Sequence, residues 1–324
     1  MKNVMKKIML VAAMLAGVAF CSFTFAQTTP TIPVIVRDLN SPYWQAVLAG
    51  ARKAGADLGV NVVGLGPQSE TDVNGQIAVL EKAVATRPAA IVIAPAQLAA
   101  LGKPIDEAAK TTKIIGIDSA AGTKAMTSLL AIDDLKAGGI AADTLISAIQ
   151  KTYADAEGDV VIINFASGVP SLEQRAKGFK DLVAAKYGAI NVAAEKAADG
   201  KPATGIEIMK GFISSMEDLR GVFVSDPVMT RAVGQAVAEK TTKDKIHVIG
   251  FGLDETLAKL LQKNVITGLI VEDPFRLGYD GVKTAFSASK GEKVPATIEA
   301  EAILITAENL SSARAQELLN PNVK

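Results

Sequence analysis

The chain has 324 residues, 49% of them hydrophobic, with 34 basic and 34 acidic side chains, one Cys and one His. That length exceeds a single ordinary core and points to two domains. A formal charge of zero offers no electrostatic footprint for nucleic acid or an anionic membrane surface, and one Cys with one His all but removes common zinc sites, haem ligation and Cys–His catalysis.

At the N-terminus, Lys2, Lys6 and Lys7 precede an apolar run from Ile8 to Phe20, and small residues follow, the three-part pattern of a secretory signal peptide. Thr24 and Ala26 suit the positions before a cleavage site, so residues 1–26 are expected to be removed and the mature chain to start at Gln27. A retained anchor is the other reading, but the run is short of the ~20 residues a membrane span needs. A lipid on Cys21 is a third, opposed by the bulk of Phe20 before it. Cleavage leaves 31 basic and 34 acidic residues and no Cys, which suits an oxidising compartment outside the cytoplasm.

From Thr31 onward, short β-rich runs alternate with amphipathic stretches, beginning with Ile32–Val36 and Tyr43–Leu58. The predicted strands continue at Asn61–Leu65, Ala90–Ile93, Lys113–Ile117, Leu129–Ile132, Asp159–Asn164, Ile190–Ala194, Gly221–Val224, Lys245–Phe251 and Thr267–Val271. In Asp72–Ala85 the residues Val73, Ile77, Val79, Leu80 and Val84 fall near one stripe, and Pro170–Lys186 turns Leu172, Phe179, Leu182 and Val183 inward. This is the βαβα signature of doubly wound parallel sheets, an α/β fold. About ten strands exceed the five or six of a usual sheet, which favours two sheets in two lobes. Ala131-Ile132-Asp133-Asp134 is the best candidate for a crossing between them.

Ligands of open α/β sheets bind beyond the carboxyl ends of the strands, so the residues after each strand are the ones to examine. Arg37-Asp38-Leu39-Asn40-Ser41-Pro42-Tyr43-Trp44 follows the first and contains the only Trp of the chain. Aromatic faces there suit the C–H face of a sugar or a flat ring, though Tyr43 and Trp44 serve equally to seat the first helix on the core. Asp118-Ser119 ends an apolar strand, where the carboxylate is either an acceptor for paired hydroxyls or a turn former. Arg175 carries a fixed fork of donors suited to a polyol or a carboxylate, although a helical surface Arg is commoner. Ser225-Asp226 and Glu272-Asp273 could reach a cleft or cap the next helix. His247 sits mid-strand and reads as structural. No dinucleotide fingerprint, P-loop or nucleophile elbow is present, since Gly64-Leu65-Gly66 and Gly250-Phe251-Gly252 each lack the third Gly.

Taken together, Ile35 to Trp44, the Asp118 strand end, Arg175-Ala176-Lys177-Gly178-Phe179, Val248-Ile249-Gly250-Phe251 and Lys290-Gly291-Glu292-Lys293-Val294 resemble the periplasmic ribose-type sugar-binding proteins, the capture subunits of ABC importers. The resemblance runs from about Ile32 to Ile305. It implies two lobes joined by three crossings, near Asp133, Glu272–Asp273 and Glu301, with an N-terminal lobe of 27–132 plus 273–301 and a second lobe of 133–272 plus 302–324. Ligand would be held between them by hinge closure.

Carried over position by position, it places Tyr43, Trp44, Asp118 and Arg175 at the ligand, and Ser41 is a further candidate beside them. Other positions depart from the family pattern. Arg37 stands for a small polar residue, Ser119 for a frequent Arg, Asp226 for an Asn and Glu272 for a Gln, while Gly252 replaces an Asp for which Asp254 is a substitute. The expected ligand is a neutral sugar or polyol, with an amine-bearing or acidic small molecule as the alternative. The expected partners are an ABC permease and, in addition, a chemoreceptor. Periplasmic location, a monomeric state, no cofactor, no metal and no catalytic residue complete the reading.

Two other classes remain for comparison. Sugar-responsive repressors share the fold but carry an N-terminal DNA-binding helix pair, where this chain has an export signal and a negative mature charge. An exported carbohydrate-acting enzyme would use paired carboxylates such as Asp118 and Asp226 for acid–base work.

Overall fold

The computed structural model describes residues 29–240 and 244–320. The expected signal segment, its cleavage site and Cys21 lie outside the described residues.

Two six-stranded sheets form the framework. The first contains β1 (Thr31–Ile35), β2 (Asn61–Leu65), β3 (Ile91–Ile93), β4 (Ile114–Ile117), β5 (Ser128–Ala131) and β11 (Thr297–Glu299), in the order β11-β5-β4-β3-β1-β2 and parallel throughout. The second contains β6 (Gly158–Asn164), β7 (Ile190–Ala197), β8 (Leu219–Val224), β9 (His247–Phe251), β10 (Gly268–Glu272) and β12 (Ala302–Ile305), in the order β12-β10-β9-β8-β6-β7. Only β12 runs antiparallel to its neighbour, β10. The fold is therefore the two-lobed, doubly wound α/β architecture. β11 and β12 are additions to the ten strands read from sequence.

Helices cover both faces of each sheet, which is why strands such as β3, β4 and β9 are buried along their whole length. On the first sheet, α1 (Pro42–Leu58) and α9 (Pro274–Ser289) cover one face, with Trp44, Val47, Leu277 and Val282 in a shared core. α2 (Val73–Ala85) and α3 (Leu98–Ala109) cover the other, through Leu80, Leu101 and Ile105. On the second sheet, α4 (Asp134–Tyr153) and α5 (Pro170–Lys186) bury Leu145, Ile149 and Phe179 on one face. α6 (Pro202–Ser215), α7 (Pro227–Ala238), α8 (Glu255–Gln262) and α10 (Ala313–Leu319) bury Met209, Val233, Leu261 and Leu318 on the other.

Local chemistry explains where these helices start and stop. Five of them open on Pro at the first turn, where its fixed φ fits and its missing N–H has no intrahelical partner to lose. Asp72, Asp133, Asp226, Asp254 and Asp273 each accept a backbone N–H of the first turn of the helix that follows. α1 ends at Gly59, whose φ of 66° is the left-handed stop that glycine provides most cheaply.

Among the described residues the chain passes between the sheets three times. It leaves β5 of the first sheet for α4 on the second, returns from β10 into α9 on the first, and passes from β11 to β12.

Candidate functional site

Both sheets aim the carboxyl ends of their strands at a single cavity of about 350 Å³. That size falls in the range of small-molecule sites. Its walls come from both lobes: Arg37, Trp44, Glu70 and Asp118 from the first, and Arg175, Asp226 and Phe251 from the second. Hydrogen bonds close its edge, because Ser119 Oγ meets Ser171 Oγ at 2.9 Å and the Leu98 N–H donates to the Gly168 carbonyl at 3.4 Å. The two lobes are shut against each other.

The first-lobe wall begins where β1 ends. Arg37, 5% exposed, donates from Nε to the Pro95 carbonyl at 3.1 Å and from Nη2 to Asp118 Oδ2 and Ser119 Oγ. Asp118 holds a φ of 64°, a conformation Asp adopts more readily than most residues, and so follows β4 with its carboxylate turned to Arg37. Pro42 starts α1 and places Tyr43 and Trp44 on its first turn. Their rings meet edge to face with centroids 4.9 Å apart. Tyr43 donates its hydroxyl to Glu272 Oε2 at 2.9 Å, and Trp44 donates its indole N–H to Glu70 Oε1 at 2.7 Å.

The second-lobe wall depends on a tight helix pair. Gly138 of α4 and Gly178 of α5 let the helices approach until a Cβ on Gly138 would lie 2.0 Å from the Arg175 carbonyl oxygen. That approach sets Arg175 against Asp134, with Nε to Oδ1 at 2.8 Å, while Nη1 donates to the Ser225 carbonyl at 3.0 Å. The guanidinium carbon also lies 4.1 Å from the Phe251 ring centre. Burial opposes the Arg175 cation, but Asp134 and Asp118 outweigh it and hold its pKa above the ordinary value. Burial likewise raises Asp134, to about 6, against the pull of Arg175.

Of the residues singled out from sequence, Arg37, Ser41, Tyr43, Trp44, Asp118, Arg175, Asp226, Asp254 and Glu272 line the cavity. Ser119 does not; it sits behind Asp118, bonded to Arg37 and Ser171. Asp254 divides itself between capping α8 and pairing with Arg231. Glu70, Asp134, Phe165, Ser171 and Phe251 belong to the same constellation without having been singled out.

Residues 32–293 match the sequence family described as periplasmic binding protein domain. The chain belongs to this family. Among its relatives, the ribose import binding protein of Haemophilus influenzae is 28% identical over 93% of this chain and 100% of its own length. The D-allose-binding periplasmic protein of Escherichia coli is 24% identical over 88% of this chain and 90% of its own. A solved carbohydrate transporter solute-binding protein from Agrobacterium radiobacter, in complex with D-arabinose, is 52% identical, with a TM-score of 0.88 over 91% of this chain and 100% of that one. An ABC transporter solute-binding protein from Agrobacterium vitis, with bound D-fucose, is 25% identical, with a TM-score of 0.83 over 89% and 99% of the two chains.

Within this periplasmic binding protein, two departures noted from sequence meet in space. The guanidinium expected after Asp118 is missing there, and Arg37 brings one to the same carboxylate from the end of β1. Arg37 Nη2 also donates to the Ser119 hydroxyl oxygen. His247 lies away from the cavity, between the hydroxyls of Thr152 and Thr267, where burial and the nearby Lys245 push its pKa down to about 4.

Proposed function

We propose that this protein captures a neutral sugar in the cleft between its lobes, for delivery to an ABC-type importer in the membrane. The observation that carries this reading is the convergence of aromatic faces, a guanidinium and several carboxyl groups from both lobes on one cavity. Tyr43 and Trp44 would cover the C–H face of the ring, Arg175 would donate to its hydroxyls, and Asp118 would accept from them. The family is periplasmic, and the sugar-bound relatives support a monosaccharide of pentose or hexose size.

The two moving bodies in this reading are 27–132 with 273–301, and 133–272 with 302–324. Membership of the strands in two separate sheets and the three passages between them support that division. Ligand favours the shut state only by binding it better than the open one. The remaining parts of the reading are a signal peptide over residues 1–26, a monomer in the periplasm, and a chemoreceptor as an additional partner. The chain would bind and release its ligand unchanged, as a receptor and not an enzyme.

Native mass spectrometry of protein purified without refolding tests this reading. The expected species is a one-to-one adduct with the mass of a neutral pentose or hexose. An adduct of another chemical class, displaced by no sugar, would contradict it.

A further inference from the structure

Two carboxyl groups in the cavity each have one buried oxygen without a partner. Asp226 follows β8, and its Oδ1 accepts from the N–H groups of Val228 and Met229 at 2.8 and 2.9 Å, while Oδ2 has no partner. Glu272 ends β10, and its Oε2 accepts from the Tyr43 hydroxyl, while Oε1 has none. Each residue is 6% exposed. An ionised carboxylate with half of its acceptor capacity empty in such surroundings is costly.

The nearby cations do not relieve that cost. Arg37 is engaged by Asp118, Arg175 by Asp134, and Arg231 by Asp254. Among the described residues no ion pair involves Asp226 or Glu272. Anionic groups face them instead: Asp118 and Asp134 turn their charge on Glu272, and Glu70 of the opposite lobe turns its charge on Asp226, with Arg175 opposing in both cases. Tyr43 is the remaining titratable group against Glu272, and its own pKa is raised well above the ordinary value, first by burial, so it stays a neutral donor.

The hydrogen-bond pattern also says where a proton would sit. An oxygen that already accepts from a fixed N–H or O–H remains the acceptor, so the acid hydrogen belongs on the other oxygen of the group. In both residues that is the unpartnered one.

We propose that Asp226 and Glu272 receive the ligand as neutral carboxylic acids, each offering an O–H from its unpartnered oxygen, so that the cleft selects an uncharged polyhydroxy ligand over its amine-bearing counterpart. This rests on the neutral-sugar reading and adds to it the protonation of the site and the means by which an amine is refused. A hydroxyl can accept from an acid O–H and donate to Asp118 at once, whereas an ammonium has donors only and enters after the acid has lost its proton. Burial pushes Asp226 up to about 7 in spite of its two N–H bonds, and burial with Asp118 holds Glu272 well above the ordinary range.

The test has two arms. In the ligand-free protein, carbon-13 side-chain carboxyl titration, with signals assigned through Asp226→Asn and Glu272→Gln, is expected to give midpoints above pH 6 for both residues. In calorimetric titrations with D-arabinose, D-ribose and D-fucose, the affinity of the native protein for the sugar that binds is expected to fall by about tenfold or more from pH 6 to pH 9, and by less than about threefold in the double variant D226N/E272Q. At pH 6, 2-amino-2-deoxy-D-arabinose is expected to bind at least about tenfold more weakly than D-arabinose. Midpoints below pH 5, a flat affinity profile in the native protein, or an amino sugar that binds as well as its parent would each overturn the proposal. If no sugar binds at any pH, the capture reading fails, and the carboxyl titration still decides the protonation state. If the double variant does not fold, the native profile and the carboxyl midpoints decide between the same outcomes.

Discussion

Trp44 is held between charges of opposite sign: its indole N–H donates to Glu70 Oε1 at 2.7 Å, and the guanidinium carbon of Arg37 lies 5.2 Å from its ring centre. Because Trp44 is the only Trp in the chain, its emission reports on the cavity alone. Sugar addition is expected to change that emission in a saturable way. Glu70→Ala should shift the emission and weaken binding, whereas Glu70→Gln, which keeps an acceptor, should restore most of both. Fluorescence titration of the three proteins checks this, and unchanged binding in Glu70→Ala would remove Glu70 from the site.

Trp44→Ala and Arg175→Ala are each expected to lower sugar affinity by more than about 2 kcal/mol, as truncation of a buried anchor does, while circular dichroism stays native. Binding close to native in both variants would mean that the ligand lies elsewhere in the cleft.

Replacing Arg37 by Ser leaves the buried Asp118 without its cation. Removing one partner of such a pair costs about 3–5 kcal/mol, so urea denaturation should show a large loss of stability. The double variant R37S/D118N, which removes the stranded charge, should recover part of it. A double variant no more stable than R37S would separate the destabilisation from the ion pair.

Much of this was legible in the sequence, and the parts that were not share a cause. The core strands and helices announce themselves through apolar periodicity, and Pro42, Pro170 and the capping Asp residues mark helix starts by local chemistry alone. β11 and β12 have three and four residues, too few to display a period, and exist because β5 and β10 offer edges to pair with. The strand-end rule found Arg37, Asp118 and Asp226, because a doubly wound sheet brings those positions together whatever the loops do. Glu70 also follows a strand, β2, but no motif surrounds it, and its role rests on a contact with a residue 26 positions earlier. The pairing of Arg37 with Asp118 joins two loops 81 residues apart, and nothing in the sequence shows that they touch.

The helix crossing that seats Arg175 predicts a further outcome. Gly138→Ala would force a Cβ into the Arg175 carbonyl, and overpacking of this kind costs about 1–3 kcal/mol. Because α5 must retreat, sugar affinity should fall along with thermal stability. A variant with native affinity would show that Arg175 keeps its place without the close approach.

Acid stability should carry the signature of His247. Its folded pKa of about 4 lies below the ordinary value of 6.5, so between those limits the unfolded chain binds a proton that the folded protein does not. Stability from this group is complete above pH 6.5 and is lost as pH falls toward 4. Denaturant midpoints at pH 7, 5.5 and 4.5 should fall more steeply in the native protein than in His247→Gln, and parallel curves would contradict the assignment.

Calorimetric titration at pH 6 against D-arabinose, D-ribose and D-fucose, with the sugar recovered afterwards and identified, bears most directly on the capture of a neutral sugar. The account predicts saturable one-to-one binding of at least one of them, loss of that binding in Arg175→Ala, and recovery of the sugar chemically unchanged. No heat with any of the three sugars, or a sugar recovered as a different compound, would contradict it.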